Sequence, residues 1–156
     1  MQTISVNELV AEVLALAHSD LILKDVAVSA QLGCELPAIH GDPIQLQQVL
    51  LNLIINACEA MSGRPTGDRL LSVETTSNGN GEIRVSISDT GEGLTPAVSQ
   101  KLFDPFYTTK ALGLGLGLPI CRSIITAHGG RLWAEPAEKQ GAVFHVELPI
   151  QTGSHA

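Results

Sequence analysis

From Leu46 to Met61 the chain reads Leu-Gln-Gln-Val-Leu-Leu-Asn-Leu-Ile-Ile-Asn-Ala-Cys-Glu-Ala-Met, and no other stretch constrains the fold as much. Its start is well marked. Asp42 suits a helix N-cap, Pro43 suits the first helical position, and Gln45 stands where a capping-box partner belongs. From Val49 to Met61 the residues are apolar nearly all round, the pattern of a helix buried within a domain. One stripe interrupts it: Gln45, Gln48, Asn52, Asn56 and Glu59 recur at spacings of three and four and so share a face. An unpaired amide in a dry core costs about 1–3 kcal/mol, so two Asn one turn apart among Leu and Ile need partners. Either the stripe is hydrogen-bonded within the core, or it faces a polar cavity that holds a ligand or metal. The helix alone does not choose between the two.

With 156 residues the chain is one domain's worth, long enough to bury a core. A hydrophobic fraction of 44% and a charged fraction of 16% describe a globular domain, and aromatics at 3% leave the core to aliphatic side chains. The net charge of −7 argues against a nucleic-acid or anionic-membrane surface. It leaves room for a nucleotide pocket, because loop amides bind phosphate without net positive charge. Cys34, Cys58 and Cys121 are odd in number and set in apolar surroundings, and they read as buried thiols rather than disulfides or a metal cluster. No apolar run approaches the roughly 18 residues of a membrane span, and no signal peptide is recognisable. The expectation is a soluble, cytoplasmic domain without direct membrane insertion.

Ahead of the Leu46–Met61 stretch, Leu9, Val10, Val13, Leu14 and Leu16 predict a helix from about Val6 to Ala17. Val26, Val28, Ala30 and Leu32 alternate as in a strand, and Gly33 to Gly41 reads as a connector. Ser62 to Gly67 ends the central helix with breaker chemistry. Leu71, Val73 and Thr75 predict a strand, and Asn78-Gly-Asn-Gly81 a turn into another. In that next strand Ile83, Val85 and Ile87 point inward, and the period of two puts Asp89 on the same face. A carboxylate ending an inward row needs hydrogen-bond donors. Thr90-Gly-Glu-Gly93 then frees the backbone to turn and to approach a ligand closely.

A loop with a short helix near Pro96 to Leu102 leads to Gly113-Leu-Gly-Leu-Gly117, directly before a helical pattern from Leu118 to His128. Alternate glycines opening a helix present amides and a positive dipole end to an anion. A flexible linker is the other reading, but Leu114, Leu116 and Leu118 can anchor the loop to the core. Gly129-Gly130 closes the helix, and Arg131 to Glu135 and Ala142 to Leu148 form a last strand pair. The fold class is α+β: a two-layer sandwich with a mixed, mainly antiparallel sheet covered on one face by helices.

With these features in order, the chain resembles the catalytic, ATP-binding domain of sensor histidine kinases, within the gyrase–chaperone–kinase–mismatch-repair ATPases. The resemblance covers nearly all of residues 1–156, read as one domain of the Bergerat-type ATP-binding fold. Asn52-Leu-Ile-Ile-Asn56-Ala57 matches the N box, Asp89-Thr-Gly-Glu-Gly93 the G1 box, Phe103-Asp-Pro-Phe106 the F box and Gly113-Leu-Gly-Leu-Gly117 the G2 box. The Asn-Ala-Cys-Glu-Ala-Met and Phe-Tyr-Thr-Thr-Lys runs look like the nitrogen- and oxygen-sensing branch.

The resemblance implies ATP and Mg²⁺ as cofactors and assigns roles. Asn56 would present its side-chain oxygen to Mg²⁺, with Asn52 lining the same cavity near the phosphates. Asp89 would accept from the adenine amine, with Gly91 and Gly93 close to the base. Thr109, Lys110, Gly113, Leu114, Gly115, Leu116 and Gly117 would surround the phosphates, Lys110 as a cation near the terminal one. Residues 94–112 would be an ATP lid anchored by Phe103 and Phe106. Asn52, Asn56 and Lys110 are thus the candidate catalytic residues.

Two departures from the family pattern carry weight. Many members place Lys or Arg three residues after the metal-binding Asn, where this chain has Glu59. No phosphoacceptor box is present either: His18 lacks its acidic neighbour and proline, and His40, His128 and His145 read as surface or capping residues. The chain therefore looks like the C-terminal part of a longer sensor without its dimerisation helices. Its implied partners are a histidine-bearing dimerisation domain of the same kinase and the receiver domain of a response regulator. Hydrolases of this superfamily carry a Glu general base one turn before the metal-binding Asn; Asn52 stands there instead, which favours phosphoryl transfer to histidine over water attack. An anti-sigma-type serine kinase, or a degenerate nucleotide-binding signalling module, are the alternative readings.

Overall fold

The computed structural model describes residues 1–93 and 117–151. The first β-strand, β1 (Gln2–Ile4), pairs antiparallel with β3 (Ile39–Gly41) to make a two-stranded sheet. Neither strand is legible in the sequence, since three residues are too few to establish a period. Between them lie α1 (Val6–Leu16), α2 (His18–Leu23) and β2 (Ala27–Leu32). Then come α3 (Pro43–Ala60), a 3₁₀ turn at Thr66–Asp68, β4 (Leu70–Ser77) and β5 (Glu82–Ser88). After the gap in the described residues follow α4 (Gly117–Ala127), β6 (Arg131–Pro136) and β7 (Ala142–Pro149).

Strands β2, β4, β5, β7 and β6 form a five-stranded sheet in that order. Only the β2–β4 pair is parallel, so the sheet is mixed and mainly antiparallel, in agreement with the predicted fold class. Alternation sorts its side chains. Leu71 and Val73 of β4, Ile83, Val85 and Ile87 of β5, and Phe144, Val146 and Leu148 of β7 are all buried beneath the helices. α3 lies at the centre of the helical layer. α1 and α2 run beside it in the same direction, Leu9 lining one cavity with Leu46 and Val49, and Leu21 lining another with Ile54 and Cys58. α4 lies on its other side in the opposite direction, with Gly117 near Asn52 and His128 at Asp42.

The entry into α3 matches the predicted cap in part. Asp42 Oδ1 accepts from the amides of Ile44 and Gln45 at 3.0 and 3.2 Å. The reciprocal half of the capping box is missing, because the Asp42 amide donates to His128 Nε2 at 3.1 Å and Gln45 is exposed. The same imidazole bonds through Nδ1 to the Ile124 carbonyl at 2.8 Å, so one ring closes α4 and caps α3. The thiols also need one correction. Cys58 and Cys121 are buried, but Cys34 is exposed, in the connector where Glu35 takes a left-handed φ of 54°.

The face of the sheet away from the helices carries a polar lattice. Glu147 of β7 is only 1% exposed, held by Arg84 at 2.5 Å and Arg131 at 2.7 Å. Both guanidiniums lie over the Trp133 ring, Arg84 at 5.2 Å and Arg131 at 4.5 Å from its centroid. His145, one row away, bridges Ser86 and Glu135, each at 2.8 Å.

Candidate functional site

The polar stripe of α3 lies neither in a dry core nor wholly in solvent. Gln45 and Gln48 are exposed, whereas Asn52, Asn56 and Glu59 are half-buried toward the C-terminal half of the helix. The two asparagines differ in their partners. Asn52 Nδ2 lies 3.6 Å from Cys121 Sγ on α4. A Cβ built on Gly117, the first residue of α4, would stand 3.8 Å from that same Nδ2. The N-terminus of α4, whose first amides have no partner within the helix and which is the positive dipole end, is therefore delivered next to Asn52. The side chain of Asn56, one turn on, makes no hydrogen bond among the described residues. A half-buried amide oxygen in that condition suits a hard cation such as Mg²⁺, which takes oxygen donors and keeps part of its water shell.

Asp89 is buried at the end of the inward row of β5, as the period of two predicted. Its Oδ1 accepts from the Gly91 amide at 2.8 Å and from the Ala142 amide at 3.3 Å, while its own amide donates to the Ala142 carbonyl at 2.9 Å. These amides supply the donors that a buried carboxylate requires. The next residue fastens the loop. Thr90 Oγ1 donates to the Asp68 carbonyl, accepts from the Leu70 amide at 3.1 Å and lies 3.4 Å from Met61 Sδ.

The glycines of this loop have a packing role beyond any approach to a ligand. A Cβ on Gly91 would stand 2.4 Å from the Ala60 carbonyl at the end of α3, so only glycine lets the loop touch the helix there. Gln140 Nε2 donates to the Gly91 carbonyl from the β6–β7 connection. That connection also holds a residue the sequence reading passed over. Gly141 has φ +99°, and a Cβ on it would stand 1.9 Å from the Asp89 carbonyl and 2.9 Å from Asp89 Oδ1. The only signal was a glycine immediately before a strand; its contact with Asp89 arises from the β5–β7 pairing.

The structure thus brings together Asn52 and Gly117, places Asn56 one turn beyond them, and sets Asp89, Gly91 and Gly93 in the loop packed against the C-terminal end of the same helix. Thr109, Lys110, Gly113, Leu114, Gly115 and Leu116, with Phe103, Phe106 and the short helix read near Pro96, lie outside the described residues.

Residues 41–152 match the family described as histidine kinase-, DNA gyrase B-, and HSP90-like ATPase. The sensor histidine kinase TmoS of Ectopseudomonas mendocina is 37% identical over 151 residues, 96% of this chain and 16% of that protein. The sensor protein FixL of Bradyrhizobium diazoefficiens is 41% identical over 145 residues, 93% of this chain and 28% of that protein. Among solved structures, the nucleotide-free catalytic domain of histidine kinase ThkA superposes with a TM-score of 0.84 at 33% identity, covering 96% of this chain and 97% of that domain. ThkA in complex with the response regulator TrrA aligns with a TM-score of 0.82 at 30% identity, over 99% of this chain and 43% of the kinase. The chain spans 16% to 31% of the length of TmoS and of the ZraS sensor kinase of Salmonella typhimurium.

Proposed function

The chain belongs to the histidine kinase-, DNA gyrase B-, and HSP90-like ATPase family as a sensor histidine kinase catalytic domain, and from that premise we propose that it binds Mg-ATP and donates the γ-phosphoryl group to a histidine on a separate dimerisation domain. The observation that carries this reading is the junction of Asn52 with the N-terminus of α4, beside an Asn56 without a described partner and in the same half of α3 that abuts the Asp89 loop.

Each residue then has a chemical task. Asn56 would hold Mg²⁺ through its side-chain oxygen, and the ion when bound would supply neutralisation of phosphate charge. Asn52 and the amides opening α4 at Gly117 line the phosphate side, joined by Thr109, Lys110, Gly113, Leu114, Gly115 and Leu116. Asp89, oriented by the Gly91 and Ala142 amides, accepts from the adenine amine, with Gly93 beside it. Lys110 supplies the cation that Glu59 cannot. The amide of Asn52 has no useful basicity, so water is not activated and the phosphoryl group is kept for the acceptor.

ThkA is solved in complex with the response regulator TrrA, and a response-regulator receiver domain is the proposed final recipient of the phosphoryl group. No helix among the described residues is long and apolar enough to cross a membrane.

Calorimetric titration with ATP and ADP, each with Mg²⁺ and then with chelator, tests the proposal. We expect Mg²⁺-dependent binding with little phosphate release over hours, and loss of the Mg²⁺ dependence in Asn56→Ala with the fold intact. Steady hydrolysis would move the chain to the ATPase branch. Mg²⁺-dependent binding that survives in Asn56→Ala would remove the metal assignment, and no nucleotide binding at all would end the proposal.

A further inference from the structure

Among the described residues the outer edge of β2 has no partner strand: β2 ends the five-stranded sheet and pairs only with β4. At its two ends the Ala27 amide donates to the Arg69 carbonyl at 3.0 Å and the Gly33 amide to the Thr75 carbonyl at 3.1 Å. In a parallel ladder alternate residues bond to the neighbouring strand, so Val28, Ala30 and Leu32 turn their N–H and C=O groups outward. The register with Leu71, Val73 and Thr75 puts the side chains of these same three residues on the helix-covered face. There the cover runs out. Val28 is 42% exposed, Ala30 is exposed and Leu32 is half-buried. Ala-Val-Ser-Ala-Gln-Leu also lacks the charges, proline or bulge that usually guard an edge strand. Acids stand at its two ends instead, Asp25 and Glu35, each at a left-handed turn with φ 53° and 54°.

We propose that this edge accepts an extended segment of a partner protein as a sixth strand, one with apolar side chains at alternate positions and a basic residue at each end. The outward backbone groups of Val28, Ala30 and Leu32 supply the ladder, their under-covered side chains take the apolar positions, and Asp25 and Glu35 take the basic ends. A second copy of this chain fits less well. Its outward groups align over the whole strand only with Ala30 opposite Ala30 and Val28 opposite Leu32. That register sets Asp25 against Glu35 at both ends, and like charges placed opposite each other are destabilising.

The test is backbone amide hydrogen exchange, read by NMR on the whole chain, with a capped peptide of alternating Thr and Val bearing Lys at both ends. Exchange at Val28, Ala30 and Leu32 should slow at least about tenfold at saturation, with Ser29 and Gln31, already bonded to β4, unchanged. The same peptide with Glu at both ends should bind about tenfold more weakly. Ala30→Pro removes an outward N–H that β4 does not use, and should abolish the protection while the circular dichroism spectrum is kept. Should that variant not fold, the exchange map of the unaltered chain decides alone. No slowing at about 1 mM peptide, equal binding of the Glu-ended peptide, or the same protection arising from self-association in sedimentation would each overturn the proposal.

Discussion

At Gly141 a hydrogen atom in place of a methyl group is what allows Asp89 to sit between two backbone amides. A Cβ would overlap the Asp89 carbonyl at 1.9 Å, and the backbone is already left-handed there. Gly141→Ala should therefore destabilise the fold by about 2 kcal/mol or more and weaken ATP binding with it. Gly63→Ala is the matched control, since nothing lies within 4 Å of its Cβ position, and should stay within about 0.5 kcal/mol of the parent. Thermal denaturation of both variants checks this, and equal shifts would show that the loop yields. The inward Asp89 was legible from strand alternation, because β5 keeps a strict period of two. The need for glycine at 141 was not, because the two residues meet only through the pairing of β5 with β7.

Among the elements, α3 and α4 are joined by an imidazole that periodicity could not locate. Its place at a helix end marks His128 as a surface or capping residue, and it does cap, but it reaches across to Asp42 as well as back along its own helix. This bond holds one end of α4, and α4 carries Gly117 to Asn52 at its other end. His128→Ala should cost about 1–2 kcal/mol in denaturant unfolding, whereas Gln45→Ala, which would break a capping box, should cost close to nothing. The reverse order would restore the capping box. Gly41 makes the same point: a Cβ there would lie 2.8 Å from the His128 ring.

For the whole molecule, two groups on the polar face of the sheet contribute to the response to acid. Burial alone would raise the Glu147 carboxyl, but hydrogen bonds from Arg131 and Arg84 outweigh it and hold the group below the ordinary carboxylate range. His145 is pushed below the ordinary imidazole range by burial, against the opposing pull of Glu135. Both groups bind protons less readily folded than unfolded, so stability falls as pH falls. The His145 contribution is complete above its unfolded value of about 6.5 and is lost as pH drops toward its lower folded value; that of Glu147 begins to fade only below about 4.3. Unfolding midpoints across pH should thus show two steps. His145→Gln should flatten the upper step and Glu147→Gln the lower, and a profile unchanged in either variant would place the acid response elsewhere.

By itself the sequence determined what depends on neighbours a few residues away. The Asp42-Pro43 start of α3, its polar stripe, the inward rows of β4, β5 and β7, and the glycine stop after α4 all follow from caps and from periods of 3.6 and 2. Tertiary structure decided what depends on distant partners: the parallel seat of β2 beside β4, the contact of Gly91 with Ala60, the reach of His128 to Asp42, and the burial of Glu147 on the outer face of the sheet. These depend on which strand pairs with which and which helix crosses which. Strand and helix periods state the side of an element that is buried, and carry no information about its neighbour.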